Sequence, residues 1–172
     1  MISLTHAWGF SHEPFAQDIP LKNLYPLPGL ESFHQRFAYA VAHNLITVIT
    51  GEVGSGKSTS LRAAAATLHP TQYRLLPLIA TTGSLLELLR QICFLLGDTP
   101  ISNSGAKMLA LIRGLITDIT SKKQIPVLIV DEAHMLRLDV FAQLQTCVVT
   151  GSAKSIGLGV GGNVCGYEVD AA

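Results

Sequence analysis

Nine consecutive residues, Gly51-Glu52-Val53-Gly54-Ser55-Gly56-Lys57-Ser58-Thr59, constrain this chain more than any others. They fit G-x-x-x-x-G-K-[ST], the pattern of a loop that wraps a phosphate chain. Glycines let the backbone turn tightly enough to aim successive N–H groups inward. In this pattern Lys57 reaches the β- and γ-phosphates of a nucleotide, and Ser58 offers its hydroxyl to Mg²⁺. A helix that begins where the loop ends adds its positive dipole end. The pattern is short, so its flanks decide. Upstream, Asn44-Leu45-Ile46-Thr47-Val48-Ile49-Thr50 is an apolar, β-branched run that predicts a buried strand. Downstream, residues 58–68 contain Ala63-Ala64-Ala65-Ala66, a good helix former. Strand, glycine loop and helix are the surroundings this chemistry needs, and a plain Gly/Ser turn would lack them.

A second motif answers the first. Ile125-Pro126-Val127-Leu128-Ile129-Val130 is nearly all aliphatic, with no polar alternation, and predicts a strand covered on both faces, as in parallel sheets. Asp131 and Glu132 follow at its C-terminal end, the edge of an open α/β sheet where ligands sit. Asp131 lies 131 − 57 = 74 positions after Lys57. It is expected beside the loop, holding Mg²⁺ through water, with Glu132 placed to polarise an attacking water. An Asp-Glu pair alone would suit any helix N-terminus. Two motifs in this order, each at a strand end, predict a P-loop NTPase: a three-layer α/β/α core around a parallel sheet. The nucleotide contacts fall to residues 51–59 and Asp131, the metal to Ser58 and Asp131, and catalysis to Lys57 and Glu132.

The rest of the chain fits around that core. Residues 1–28 carry Pro14, Pro20, Pro26 and Pro28 among Trp8, Phe10, Phe15 and Tyr25. Such a segment forms no long helix or central strand. It reads as an irregular surface arm whose aromatics pack on the following domain; the alternative reading is that part of it lines an adenine pocket. The core is expected over residues 29–146. It opens with an amphipathic helix over 29–43, carrying Leu30, Phe33, Phe37, Ala40 and Val41 on one face. A strand over 73–80 follows, which Pro77 pushes to a sheet edge. The next helix reaches Leu96, capped by Ser84 or Thr82 and ended by Gly97. A helix over 107–121 comes next, with Met108, Leu111, Ile112, Leu115, Ile116 and Ile119 on one face. A short helix over 136–146 follows the carboxylates.

Residues 147–172 change character. They are rich in glycine, with three charges beyond residue 150: Lys154, Glu168 and Asp170. Gly157-Leu158-Gly159-Val160-Gly161-Gly162 fits G-x-G-x-x-G but lacks the strand and helix of a dinucleotide site. This stretch reads as a disordered or non-native tail.

Composition bears on partners and location. Twelve Lys plus Arg balance twelve Asp plus Glu, so no basic excess announces nucleic acid. Cys93, Cys147 and Cys165 are odd in number and widely spaced, which suits a reducing cytosol, and the histidines show no ligand spacing. No signal peptide or membrane span is read from the chain. A cytoplasmic location is the expectation.

From residue 7 to residue 146, about four fifths of the chain, the sequence resembles one family. Ala7-Trp8-Gly9-Phe10, Glu13-Pro14-Phe15, the 51–59 loop and Val127-Leu128-Ile129-Val130-Asp131-Glu132-Ala133-His134 occur in that order. They are similar to the AAA+ ATPases of the general secretion pathway protein A type, relatives of transposon-borne ATPases that partner transposases. The resemblance implies a DEAH-type AAA+ domain with an ASCE sheet, ATP and Mg²⁺ as ligands, and a bacterial cytoplasmic protein. As partners it implies a transposase or a secretion component, DNA in the full-length family, and a homo-oligomer. It also implies a sensor strand, an arginine finger and a helical lid after residue 146. Only Cys147-Val148-Val149-Thr150 offers a strand there, with Thr150 as sensor, so the domain is expected to be incomplete at its C-terminal side. The expectation is a truncation or a frame shift near Thr146.

Three functions follow. The first is an AAA+ module coupling Mg·ATP to the remodelling of a partner. The second is a fragment of a DEAH-box nucleic-acid helicase, because Asp131-Glu132-Ala133-His134 matches that motif as well. Against it, Ser152-Ala153-Lys154 does not match the Ser-Ala-Thr motif such helicases carry. The third is a nucleotide-binding remnant without turnover.

Overall fold

The computed structural model describes residues 5, 8–10, 19–25, 28–43, 45–80, 84–99, 102–137, 139–140 and 142–143. The glycine-rich segment 147–172, the strand expected at Cys147-Val148-Val149-Thr150, and the residues Phe15 and Thr82 lie outside these. Contacts divide the chain into two units, Met1–Leu30 and Glu31–Ala172.

In the first unit a 3-10 turn, Leu21–Asn23, is closed by the Asn23 N–H donating to the Pro20 carbonyl at 2.8 Å. Among its described residues none is buried. Trp8 is 74% exposed and Tyr25 79%. Phe10 is exposed as well.

The second unit follows the order α1 (Leu30–Ala42), α2 (Lys57–Ala66), β1 (Tyr73–Ile79), α3 (Leu85–Leu96), α4 (Gly105–Ser121) and β2 (Ile125–Asp131). β1 and β2 pair in parallel, with Tyr73 opposite Ile125 and Ile79 opposite Asp131. At the ladder's ends the Ile125 N–H donates to the Gln72 carbonyl (2.8 Å) and the Ala80 N–H to the Asp131 carbonyl (2.9 Å). Residues two apart in a strand turn their backbone groups to the same side. Even-numbered residues of β1 thus face β2, and odd-numbered residues of β2 face β1. Pro77 and Pro126 both fall on the opposite parity, where no donor to the other strand is needed. Among the described residues β1 pairs with β2 alone, so Pro77 sits on a sheet edge, as its sequence predicts.

Side chains of the two strands alternate between two cores. Leu76, Leu78, Leu128 and Val130 pack with Leu88, Leu89 and Ile92 of α3 and with Met108, Ile112 and Ile119 of α4. Val127 and Ile129, with Leu75 and Tyr73, pack with Phe37 and Val41 of α1 and with Leu61, Ala64 and Ala65 of α2. The result is three layers, α3/α4, sheet and α1/α2. This is why β2 is apolar from Ile125 to Val130: both of its faces are covered, and Val127 and Val130 are fully buried. Gly97, in the left-handed region at φ 97°, ends α3, with its N–H on Phe94 and the Asp98 N–H on Cys93. Ser84 holds the N-cap position of α3 but makes no capping bond through its side chain.

The structure corrects two expected elements. Residues 45–50 do not form a regular strand; they are irregular apart from an isolated bridge at Thr47. A strand is defined by its ladder, and among the described residues the sheet consists of β1 and β2. The apolar character of 45–50 is still used: Ile46 packs on the α3/α4 side and Ile49 on the α1/α2 side. Such opposite placement of residues three apart is that of an extended segment between two layers. The helix expected over 136–146 starts later. A 3-10 turn, Ala133–Met135, comes first and Leu136 is extended, while Asp139, Val140, Ala142 and Gln143 are helical.

Candidate functional site

The 51–59 loop leads directly into α2. Two of its glycines adopt left-handed backbone, Gly54 at φ 81° and Gly56 at φ 82°. Gly56 is the N-cap residue of α2 and supplies no side chain to its first N–H groups. Those groups have no acceptor within the helix. A further constraint acts at Gly51, where a Cβ would meet the Ser55 hydroxyl at 2.9 Å. Val53, at the loop's tip, is 84% exposed. The Lys57 ammonium folds back over the loop and donates to the Gly51 carbonyl at 2.8 Å and to the Glu52 carbonyl. The Glu52 carbonyl also accepts the Ser55 N–H at 3.2 Å. The loop is closed around its own cation.

The first turn of α2 points at the end of β2. The Ser58 hydroxyl donates to Asp131 Oδ1 at 3.0 Å, joining residues 73 positions apart. The same oxygen accepts the Glu132 N–H at 2.9 Å. That bond accompanies an unusual backbone: Glu132 is left-handed at φ 54° without being glycine. The turn that follows is anchored by buried Ala133 and Leu136 and closed by the Met135 N–H on the Glu132 carbonyl at 2.9 Å. Glu132 Oε2 then lies 3.2 Å from His134 Nδ1, both side chains half exposed.

The residues singled out from the sequence thus fall into one place only in part. Ser58, Asp131 and Glu132 are brought together. Lys57 lies on the same loop, with its head group turned onto carbonyls. Glu52 contributes its carbonyl. No described contact involves the Thr59 side chain, which is half buried on α2. His134 was missed as a partner of Glu132. A spacing of two carries no helical signal, the strand period ends with β2 at Asp131, and it is the 3-10 turn that brings the two side chains onto one side. A cavity of about 650 Å³ beside Pro77, Ile79, Arg90 and Phe94 shares no residue with this site.

A family profile described as AAA domain matches residues 41–160, which include the loop, both strands and the two carboxylates. The chain belongs to the AAA domain family. Solved structures agree on the fold. The Aeropyrum pernix ORC2 protein, in its ADPNP–ADP complexes, is 17% identical with a TM-score of 0.55, covering 82% of this chain and 43% of that one. Cdc6p from Pyrobaculum aerophilum is 17% identical with a TM-score of 0.61, covering 81% and 40%. Drosophila ORC bound to DNA is 19% identical with a TM-score of 0.63, covering 83% and 41%. This AAA domain spans about two fifths of the length of those chains. No curated protein matches it by sequence. Among its described residues no helix is long and apolar enough to cross a membrane.

Proposed function

We propose that this AAA domain binds Mg·ATP in the 51–59 loop and hydrolyses it, with Glu132 as the base. The observation that carries the reading is the 3.0 Å bond from Ser58 to Asp131. It brings together one hydroxyl and one carboxylate, from two motifs far apart in sequence, beside the start of a helix. This donor set fits Mg²⁺, which takes hard oxygen ligands and is usually held by one or two protein groups, nucleotide phosphates and water. Among the described residues no cluster of three His, Cys, Asp or Glu could hold a metal ion. When bound, the ion would neutralise charge on the phosphates during transfer.

The chain's own residues do the rest. Lys57 leaves the Gly51 and Glu52 carbonyls to meet the phosphates, so nucleotide opens the closed loop. Gly54, Ser55 and Gly56 present N–H groups to the phosphates. Ser58 and Asp131 exchange their mutual bond for the metal and its water. Glu132 accepts the proton of the attacking water. The finer family reading, a secretion- or transposition-related ATPase of the bacterial cytoplasm, rests on the sequence resemblance. With it come a transposase or secretion component as partner, and self-assembly. DNA is a candidate ligand on the strength of the DNA-bound relative.

Lys57→Ala tests the site. It is expected to abolish binding of a fluorescent ATP analogue, and undiminished binding would sink the assignment. Hydrolysis stimulated by RNA would move the reading toward a helicase fragment.

A further inference from the structure

The contact between Glu132 and His134 has no part in the roles assigned above. Its geometry is specific. Glu132 Oε2 and His134 Nδ1 are 3.2 Å apart. A carboxylate oxygen facing Nδ1 at this distance can accept a proton carried on that nitrogen. The two residues are two apart, a spacing at which side chains on a helix do not face each other. They meet because Glu132 is left-handed and residues 133–135 form a 3-10 turn. Both ends of that arrangement are fixed. The Glu132 N–H is tied to Asp131 Oδ1 at 2.9 Å, and the turn is pinned by Ala133, 5% exposed, and Leu136, 9% exposed. The imidazole is thus carried on a rigid support beside a carboxylate that is itself half exposed. Left alone, a half-exposed glutamate samples several rotamers.

We infer that His134 is a positioning residue for Glu132. It binds one carboxylate oxygen and so orients the other, Oε1, as the proton acceptor. Holding a base in one geometry raises the rate of the step it serves without altering how nucleotide is held. This inference rests on the ATPase reading of the site.

Two measurements test it. The first uses the nucleotide-free chain. Nitrogen-15 spectra of the His134 ring are expected to show the proton on Nδ1, and Glu132→Ala is expected to release it from that nitrogen. A ring indifferent to Glu132→Ala would overturn the inference. The second is turnover with Mg·ATP. His134→Ala is expected to lower kcat by about tenfold with KM unchanged. His134→Asn, whose amide can donate to the same oxygen, should recover part of the loss, whereas a merely structural histidine would not be rescued in kcat alone. Turnover that Glu132→Gln removes but His134→Ala leaves intact would overturn the inference and leave the ATPase reading standing. Wild-type turnover no higher than that of Glu132→Gln would overturn both.

Discussion

Asp131 Oδ1 is the atom on which the candidate site converges, since it takes one bond from Ser58 and one from the Glu132 backbone. Removing the hydroxyl by Ser58→Ala should leave the fold intact, because Ser58 is exposed. It should weaken nucleotide binding in Mg²⁺ while changing binding in EDTA little. Equal weakening in both, read by titration calorimetry, would show that Ser58 acts on the nucleotide directly rather than through the metal. The meeting of Ser58 with Asp131 was legible in the sequence because phosphate-loop chemistry requires particular residue types at fixed places: Gly before Lys, Lys before Ser, Asp at the end of a strand. The Glu132–His134 pair was not legible, because it depends on one left-handed residue. Nothing in a non-glycine sequence marks that conformation. The back-folding of Lys57 was hidden for a similar reason: the pattern specifies a lysine, but not that its head group meets the Gly51 and Glu52 carbonyls.

At the level of elements, apolar patterning was the dependable signal. It placed α1, α3 and α4 because burial on a defined face leaves a period in the sequence, and β2 because cover on both faces leaves an unbroken apolar run. It overstated residues 45–50. Apolar, β-branched residues mark a buried extended segment, and whether that segment becomes a strand depends on a hydrogen-bonding neighbour elsewhere. Proline was a better guide than composition, since a missing N–H has a definite place in a ladder. On β1, Tyr73, Leu75, Pro77 and Ile79 direct their backbone groups away from β2. Pro77 interrupts that row of donors, a recognised defence of sheet edges. Pro77→Val would complete the row. The expected outcome is concentration-dependent association of the nucleotide-free chain in sedimentation velocity runs. An unchanged mass distribution would mean that Pro77 does not guard this edge.

For the molecule as a whole, the buried layer between α3, α4 and the sheet holds one titratable group that chemistry does not use. Cys93 is completely buried. Burial pushes its thiol above the ordinary value, and the nearby Asp98 carboxylate pushes it the same way, against a smaller opposing effect of a backbone hydrogen bond. The folded chain therefore keeps this proton at a pH where the unfolded chain gives it up. Stability is full below the usual thiol range and falls as pH rises through it. With Cys147 and Cys165 replaced by serine, the urea midpoint should drop between about pH 7 and about pH 10 more steeply than in a further Cys93→Ala variant. Parallel slopes would remove Cys93 as the cause. The backbone of Glu132 raises a different matter, that of stability given up at one position. A left-handed non-glycine residue costs on the order of 1 kcal/mol, which glycine would not. Glu132→Gly is therefore expected to melt above Glu132→Ala, although both lack the carboxylate. Position 132 is therefore one at which the fold alone favours glycine, and the carboxylate is held there at a cost to stability.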